Sequence, residues 1–554
     1  MCRAYFKLVL LIALIGHGLA AANPVENEKL GGDDEKLKGQ RIYRDGILPS
    51  GAPLQASVQQ AVALSGSDAA CAKCHRRSGL GSSEGQQTIR PIAGRLLFSS
   101  PEISGSQRVN ALFRVKEART PYTVASLARA LRDGIDADGR KLDPLMPRFV
   151  LGDAEIALLA DYLKGLSLAP SPGVTESEIH FATIISPGIA PDRSQAMLDV
   201  LHAFFRDKNG GTRQEGRRKA IGTEQMYRVY RKWVLHEWRL SGPPESWQEQ
   251  LEAHYGRQPV FAVLSGIGAG SWRPVHEFCE RSEIPCVFPN VDYPELVQKG
   301  HATLYFSRGV ALEAEVLAKH LLQSLHGSSG RIVQVFRDTA EGRLPAQVLR
   351  TALQRNGISD VTDRPLAAGQ LVPEALWAQL LRDTQPRVLV LWLNDEDIAN
   401  LPSQGVMLSG MENIYLSGSL IGRAPHSLLS DSWLERLRLV YPFELSERRV
   451  QRLSRMKHWL SARNIALREE RAQAGAYFAA TIAGDALAAM GENFSRDYFI
   501  ERVEQMTENS LSSAIYPHLS LGDGQRFASR GAYIAKLTGD GEKMLLPASE
   551  WIVP

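Results

Sequence analysis

The residues best suited to chemistry in this chain are Cys-Ala-Lys-Cys-His at positions 71–75. Cys-x-x-Cys-His is the attachment pattern of c-type haem, in which two thiols form thioethers and the histidine ligates the iron. One helical turn separates Cys71 from Cys74, so both sulfurs reach one edge of the macrocycle while His75 turns toward the iron. We therefore predict one covalently attached haem c, with His75 as an iron ligand.

Two other kinds of protein site also use a pair of cysteines at this spacing. A thioredoxin-like redox pair requires a βαβ setting, which the surrounding sequence does not suggest. A structural zinc site requires two further ligands at matching spacing. His75 is the only histidine between residues 23 and 179, and no other cysteine lies nearby, so the pattern favours haem.

Two further residues are suited to complete an iron site. Met146 lies in the Pro-rich segment 145–149 and is the only methionine between residues 2 and 196. We predict it as the second axial ligand, although an ordinary core methionine is the alternative. Pro91, in the segment Arg-Pro-Ile-Ala-Gly, is predicted to help set a backbone carbonyl against the other ring nitrogen of His75 and so fix its tautomer.

Helices must hold these residues in place. A short helix is predicted over 39–46, with a glycine and an aromatic residue on one face, and another over 124–132. Asp153 begins a third, which carries an apolar stripe of helical period. Tyr162 and Leu163 on this last helix are expected to pack on the first and close the unit.

Residues 37–168 carry five features in this order: Gly-x-x-x-Tyr, Cys-x-x-Cys-His, Pro-x-x-Gly, Met-Pro and a helix with Tyr-Leu. With these features in this order, the segment resembles a class I cytochrome c. The resemblance implies a small all-α domain with low-spin iron between His75 and Met146. Such iron carries electrons and leaves no open coordination site. One departure is Arg76, where many relatives have a glycine.

The amino terminus predicts export. Residues 1–22 combine a basic start, an apolar run and Ala20-Ala21-Ala22, which is typical of a cleavable signal peptide. An uncleaved anchor is the alternative, but the run is shorter than a spanning helix needs. The expected location is the periplasm. The chain has 554 residues and a net charge of +3, so several domains are expected and nothing indicates a nucleic-acid partner.

After a Pro-rich linker at 169–177, apolar runs alternate with amphipathic segments over 178–554. This alternation predicts a doubly wound α/β sheet, with enough chain for two lobes. The predicted strands are 179–185, 233–240, 260–264, 332–336, 388–393 and 414–417. The predicted helices are 193–207, 248–255, 275–281, 311–325, 345–356 and 374–382.

A glycine-rich loop, Gly-Ile-Gly-Ala-Gly at 266–270, follows one of these strands. It lacks the full Gly-x-Gly-x-x-Gly pattern and an acidic ribose partner, so a nicotinamide site is disfavoured. The loop suits a lobe that presents backbone N–H groups to a small ligand.

Residues 178–554 resemble a type I periplasmic solute-binding protein of the branched-chain amino acid and amide group. Three stretches carry the likeness: 263–286, 304–308 with the helix after it, and 477–497. The resemblance implies two Rossmann-like lobes that close on a small molecule. Carried onto this sequence, the ligand-contact candidates are Ser265, Ser271, Asn290, Asn394 and Ser417, although each is also a plausible turn residue. No arginine or aspartate at these loops matches an amino-acid clamp, and Trp392 suggests an apolar or aromatic ligand.

Cys279 and Cys286 are expected to form a disulfide in an oxidising compartment. Two buried thiols, one on a helix and one on the next strand, are the alternative.

Together these features predict a periplasmic electron carrier without catalytic residues, fused to a module that binds or senses a small molecule or docks a redox partner protein. That partner would belong to a periplasmic dehydrogenase or oxidase chain. Two alternatives stay open. One is a solute receptor of an ABC importer, with a permease as partner and haem as a secondary feature. The other is an electron-accepting subunit of a periplasmic dehydrogenase.

Overall fold

A computed structural model gives the fold of the chain. It describes residues 24–59, 61–84, 87–99, 120–167, 170–218, 231–297, 300–325, 331–370, 372–401, 410–422, 429–509, 514–522, 524–537 and 545–554. The predicted signal peptide, 1–22, lies outside these residues. The chain divides into two compact units, Met1–Leu168 and Ala169–Pro554.

The first unit combines helices with short strands. The helices are α1 (Pro24–Asp45), α2 (Ala72–His75), α3 (Gly94–Phe98), α4 (Val124–Asp133) and α5 (Asp153–Gly165). The strands are β1 (Gln55–Val58), β2 (Val62–Ser65), β3 (Ser82–Glu84), β4 (Gln87–Ile89) and β5 (Arg148–Val150). They form an antiparallel sheet, β2-β1-β5, and a hairpin, β3-β4. The expectation of an all-α unit is therefore corrected. The sheet pairs Ala56 with Phe149, and both are buried in the apolar core.

Close packing of α1 against α5 holds this unit together. A Cβ atom on Gly39 would lie 2.3 Å from the carbonyl oxygen of Leu158 and 2.8 Å from Cβ of Tyr162. Only glycine allows this approach. One turn later, the rings of Tyr43 and Tyr162 lie 5.4 Å apart. The predicted packing of these two helices is present.

In the second unit, lobe 1 is built on a parallel sheet. Its strands are β6 (Glu178–Ile185), β7 (Lys232–Arg239), β8 (Ala262–Leu264), β9 (Ile267–Gly268), β10 (Cys286–Val287), β11 (Asn290–Val291) and β12 (Thr303–Leu304). They run in the order β11-β9-β6-β8-β10-β12, and β7 pairs with β6. The helices between them are α6 (Pro191–Arg218), α7 (Trp247–Arg257) and α8 (Arg273–Arg281).

Lobe 2 repeats this α/β pattern. Its strands are β13 (Ile332–Arg337), β14 (Val361–Leu366), β15 (Val388–Trp392), β16 (Asn413–Ser417), β17 (Leu437–Tyr441), β18 (Tyr533–Leu537) and β19 (Leu545–Pro547). The order is β14-β13-β15-β16-β17-β18-β19, parallel as far as β17 and antiparallel after it. The helices are α9 (Val310–Leu325), α10 (Ala340–Arg355), α11 (Glu374–Thr384), α12 (Asp395–Ile398) and α13 (Asp431–Leu434).

Three crossing segments join the lobes. The first runs from β12 to α9, and the second follows β17 and leads to α14 (Ser446–Ser461) and α15 (Glu470–Met490). The third follows α16 (Arg496–Asn509) and leads to β18. Backbone hydrogen bonds tie the third to the other two. The Tyr305 N–H donates to the Arg526 carbonyl at 2.8 Å, and the Glu444 N–H donates to the Ile515 carbonyl at 2.8 Å.

The segment after the first unit is not a free linker. The Ser171 N–H donates to the Phe494 carbonyl at 2.9 Å, and a Cβ atom on Gly173 would lie 2.1 Å from the Phe261 nitrogen. The predicted linker at 169–177 thus belongs to the second unit over its described part. No helix among the described ranges is long and apolar enough to cross a bilayer.

Candidate functional site

Charged side chains meet where the two lobes face each other. Arg193 follows β6 and Asp292 follows β11, while Glu313 lies in the first turn of α9. Arg471 lies in the first turn of α15, and Tyr516 lies on the third crossing segment. Because parallel strands present their carboxyl ends at one edge of a sheet, these positions lie where doubly wound lobes bind ligands. We call these five residues the interlobe cluster.

Arg471 connects the two lobes. Its Nη2 atom forms an ion pair with Asp292 of lobe 1, and its Nη1 atom donates to the Ser419 carbonyl of lobe 2 at 3.1 Å. The guanidinium also lies over the Phe443 ring, 4.8 Å from its centroid. Burial alone would lower the pKa of Arg471, but the Asp292 carboxylate raises it above its ordinary value. Arg471 is therefore a permanent cation at the interface of the lobes.

Glu313 is the most perturbed acid of the cluster. Its side chain is fully buried, and the Ser419 N–H donates to Oε1 at 3.1 Å. Its other oxygen, Oε2, has no hydrogen-bond partner within the described ranges. Burial raises the pKa of Glu313 to about 7, and the Asp292 charge adds to the shift. A buried carboxyl with one unmet oxygen can accept a hydrogen bond from a bound molecule.

Arg193 adds a second cation. Its guanidinium is half-buried and forms no hydrogen bond or ion pair with any residue that the structure describes. Burial lowers the pKa of Arg193, and the Arg471 charge contributes to that shift. The cluster therefore contains a guanidinium, of Arg193, and a carboxyl oxygen, Oε2 of Glu313, that form no hydrogen bond with the described residues.

Two of the five residues predicted to contact ligand lie together inside lobe 1. Asn290 donates from Nδ2 to Oγ of Ser265 at 3.0 Å, and both side chains are buried. Ser265 has a φ of +57°, and α15 covers the pair at Gly475. Each side chain is a hydrogen-bond partner of the other. In this conformation the pair therefore helps to form the surface of lobe 1 beneath the site.

The other three predicted contact residues have separate positions. Ser417 is fully buried beside Glu313, and its Oγ accepts from the Leu420 N–H at 3.2 Å. Ser271 accepts from the Arg273 N–H at 3.4 Å in the turn before α8. Asn394 caps α12 by accepting from the Asp397 N–H at 3.1 Å. Of the three, only Ser417 touches the interlobe cluster.

Trp392 is not placed for a ligand. It is buried in the core of lobe 2, and its Nε1 donates to Oε1 of Gln334 at 3.1 Å. Trp392, the last residue of β15, therefore points into the lobe and does not support the suggested apolar or aromatic ligand, which stays a prediction.

Sequence reasoning missed the charged residues of the site. It found no arginine or aspartate at the expected loops, whereas Asp292 lies two residues after Asn290 and Arg471 lies six residues before Tyr477. No strand or helix was predicted next to Asp292 or Arg471, so only their closeness in sequence to stretches that carry the family likeness could have drawn attention to them. Tyr516 comes from a crossing segment and Arg471 from the helix that follows another, and strand periodicity marks neither position.

The Cys-x-x-Cys-His segment forms α2 in the first unit. His75 is buried, and its Nδ1 lies 2.9 Å from the Arg90 carbonyl oxygen, so Nδ1 donates in the neutral tautomer. The accepting carbonyl directly precedes Pro91, as the sequence suggested. Burial lowers the pKa of His75, and the hydrogen bond to Arg90 opposes part of the shift. The Nε2 atom forms no hydrogen bond with any described residue.

The two cysteines of the segment are free thiols. Cys71 is buried and Cys74 is exposed. Burial raises the pKa of Cys71 to about 12, so this thiol is neutral and unlike an activated redox cysteine. Cys71 belongs to the apolar core of the first unit, and Met146 packs against that same core.

The other two cysteines lie in lobe 1. Cys279 on α8 and Cys286 on β10 form a disulfide, with Cα atoms 6.2 Å apart. Both are buried, and the bridge fixes the turn between the helix and the strand.

A scan of protein-family models matches residues 241–542 to the family described as periplasmic binding protein. This match covers more than half of the chain. The chain belongs to the periplasmic binding protein family.

Solved structures share the fold of this periplasmic binding protein. A branched-chain amino acid ABC transporter protein from Thermus thermophilus, with bound valine, superposes with a TM-score of 0.52 at 13% identity. The match covers 69% of this chain and 98% of the other. A fatty acid ABC transporter substrate-binding protein from Thermomonospora curvata gives a TM-score of 0.50 at 13% identity, covering 70% and 95%. A search of curated proteins finds no match.

Membership in the periplasmic binding protein family assigns the second unit a solute-binding role outside the cytoplasmic membrane. The family match begins at residue 241 and leaves the first unit uncovered. The comparisons therefore support the alternative hypothesis, a solute receptor of an ABC importer, better than the main hypothesis of an electron carrier.

Proposed function

We propose that the second unit is the solute receptor of an ABC importer and binds a small polar molecule at the interlobe cluster. The observation that carries this proposal is Glu313 Oε2, a buried oxygen with no hydrogen-bond partner among the described residues. It lies in the same cluster as Arg193, whose guanidinium forms no hydrogen bond or ion pair with those residues. A ligand with an acidic group for Arg193 and a hydrogen-bond donor for Glu313 would satisfy both. The permease of such an importer would be the partner.

Lobe closure supplies the mechanism. Arg471 already joins Asp292 to the Ser419 carbonyl, so the chain has a built-in contact between the lobes. A ligand that bonds to both lobes adds to this contact and favours the closed state by its differential affinity. Closing expels water, which strengthens each charged hydrogen bond inside the site.

Thermal unfolding in the presence of a solute panel tests this function. The panel includes valine and a fatty acid, because two proteins of the same fold are described with such ligands, together with acidic amino acids and amides. A solute that binds at the interlobe cluster is expected to raise the unfolding temperature of the wild type. Arg193→Ala and Glu313→Gln are expected to weaken its binding by at least about tenfold, the size expected for a charged hydrogen bond.

The exposed Arg448 on α14 provides the matched control, and Arg448→Ala should leave the affinity unchanged. If a bound solute is held equally well by wild type, Arg193→Ala and Glu313→Gln, the ligand site lies elsewhere and the proposal fails.

A second function is proposed for the first unit, which we infer to be a cytochrome c domain. The supporting observation is that His75 is buried with Nδ1 on the Arg90 carbonyl, which leaves Nε2 for a metal. Cys71 and Cys74 are free thiols at the attachment spacing, and Met146 packs on the core that contains Cys71. The residues therefore fit a c-type haem.

In this proposal Cys71 and Cys74 would hold haem c by thioethers, and His75 and Met146 would bind its iron. Bound in this way, haem supplies a one-electron carrier. The Arg90 carbonyl orients the His75 ring, and the apolar core excludes water. A periplasmic redox protein, from a dehydrogenase or oxidase chain, would be the electron-transfer partner. Such a partner is also compatible with a subunit role in an oxidoreductase.

Haem staining of a denaturing gel tests attachment, using protein exported in cells that mature c-type cytochromes. Staining is expected for the wild type and for the control pair Cys279→Ala with Cys286→Ala. It should disappear in Cys71→Ala with Cys74→Ala. Absorption spectra then test ligation: the weak methionine–iron band near about 700 nm should vanish in Met146→Ala and remain in Met506→Ala.

A wild-type protein without covalent haem would refute the cytochrome proposal and leave the receptor proposal standing. A high-spin wild-type spectrum that changes with carbon monoxide would refute ligation by Met146.

A further inference from the structure

A groove lies beside the crossing segments, away from the interlobe cluster. It has a volume of about 850 Å³ and runs between α9 and the third crossing segment. Its apolar lining includes Leu312, Leu322, Ala352 and Phe527. It is large enough for a small organic ligand.

Cations dominate the charged residues that line this groove. The described lining residues include four basic side chains, Arg308, Lys319, Arg526 and Arg530, and one acidic side chain, Glu315. Glu315 is occupied, because both of its oxygens accept from Nη1 of Arg308 at 2.7–2.8 Å. Glu504 pairs with Arg526 in the same way, and Lys319 donates from Nζ to the Val553 carbonyl at 2.6 Å. Among the described lining residues, the positive charges that no carboxylate offsets are therefore those of Lys319 and Arg530, beside an apolar surface.

Several donors at the groove are not satisfied. Arg530 is exposed and forms no hydrogen bond or ion pair with the described part of the chain. The Nε atoms of Arg308 and Arg526 are buried and lack a partner there as well. Arg526 is otherwise held by Glu504, at 2.5 Å, and by the His301 carbonyl, at 2.7 Å. A buried donor without an acceptor costs free energy, which an incoming anion would recover.

We propose that this groove is a second binding site, for a small organic anion with an apolar body. Its acidic group faces Arg530 and the neighbouring cations, and its apolar body lies against Leu322, Ala352 and Phe527. Guanidinium groups suit this role because they bind carboxylates through paired hydrogen bonds.

The position of the groove links this site to lobe movement. Phe527 forms a parallel bridge with Tyr305, so one wall of the groove belongs to two crossing segments that hydrogen-bond to each other. The opposite wall is α9, whose first turn carries Glu313 of the interlobe cluster. A molecule in the groove touches elements on which opening and closing depend, so its binding is coupled to closure of the lobes.

Calorimetric titration of the full chain with 2-naphthoate tests the site. Measurable binding is expected, and 2-naphthalenemethanol, which lacks the charge, should bind at least about tenfold more weakly. Arg530→Gln should weaken naphthoate binding by about tenfold. Ala352 is half-buried on α10 and lines the groove. Ala352→Trp should therefore fill the groove and weaken naphthoate binding at least as much.

Two control variants locate the binding. Arg448→Gln makes the same charge change on exposed α14, and Arg193→Ala alters the interlobe cluster. Both should bind naphthoate as the wild type does. The proposal is overturned if naphthoate does not bind at millimolar concentration, or if Arg530→Gln and Ala352→Trp bind it unchanged. It is equally overturned if Arg448→Gln weakens binding as much as Arg530→Gln, or if Arg193→Ala abolishes it.

Discussion

Gly475 on α15 lies so close to Asn290 that a Cβ atom at position 475 would be 2.1 Å from Oδ1 of Asn290. This contact presses α15 onto β11 at Asn290, the first residue of the strand, whose side chain is hydrogen-bonded to Ser265. Arg471 lies in the first turn of the same helix, so the distance of α15 from lobe 1 also sets the position of the guanidinium that joins the lobes.

Gly475→Ala should therefore destabilise the second unit. The added methyl group must displace Asn290 or the helix, and overpacking of this kind costs about 1–3 kcal/mol. The effect is measured as the change in the free energy of unfolding by urea. We also expect weaker solute binding, because Arg471 moves with the helix.

Gly256→Ala on α7 is the control, since no atom lies within 4 Å of a Cβ placed there. That change should be neutral or stabilise by up to about 1 kcal/mol through helix propensity. Equal stability of the Gly475→Ala and Gly256→Ala proteins would contradict the proposed contact.

The backbone at Arg76 adopts a conformation that favours glycine. Its φ is +65° and its ψ is 167°, directly after His75. The hydroxyl of buried Tyr43 donates to the Arg76 carbonyl at 2.7 Å, which helps to hold this geometry. A non-glycine residue in such a region costs on the order of 1–3 kcal/mol.

Arg76→Gly should therefore stabilise the first unit by about 1 kcal/mol, after the greater entropy of glycine in the unfolded chain is subtracted. Hydrogen exchange of α1 and α5 in the full chain measures the change. Arg77→Gly is the matched control, because position 77 does not have a positive φ, and it should be neutral or destabilising. Destabilisation by both changes would exclude backbone strain at Arg76.

Much of the second unit could be predicted because its strands are buried and strongly apolar. The prediction over 179–185 corresponds to β6 (Glu178–Ile185), and that over 388–393 corresponds to β15 (Val388–Trp392). Strands at 361–366 and 437–441 were missed, as were the strands β9, β10, β11, β12, β18 and β19. The strand at 361–366 includes Asp363, Arg364 and Pro365, so its composition does not resemble a buried strand.

The site was harder to predict than the sheet. Ser265 and Asn290 were named from the family resemblance, whose ligand contacts lie on loops at the carboxyl ends of strands, and their role as ligand contacts stays a prediction. Glu313 was missed because a glutamate in the first turn of a helix usually reflects favourable helix capping. Its unusual burial depends on Ser417 and Ser419, more than 100 residues later, and no local pattern contains that information.

Glu313 also gives the second unit a distinctive pH dependence. Its pKa is raised from 4.5 to about 7, so the folded protein keeps a proton that the unfolded chain has already lost between these pH values. Stability should therefore fall as pH rises from about 4.5 to about 7 and change little above that, by about 3 kcal/mol in total. This is opposite in sign to an ion-paired carboxylate.

Glu313→Gln should remove this slope, because glutamine does not ionise while its Oε1 can still accept from the Ser419 N–H. The variant should be more stable than the wild type at pH 8, by up to about 3 kcal/mol, and equally stable near pH 4.5. Urea unfolding at several pH values measures both quantities. Glu315→Gln, two residues later on α9, breaks the pair with Arg308 but should keep the wild-type slope. If Glu313→Gln keeps that slope as well, another group causes the slope, and Glu313 does not hold a raised pKa in the folded protein.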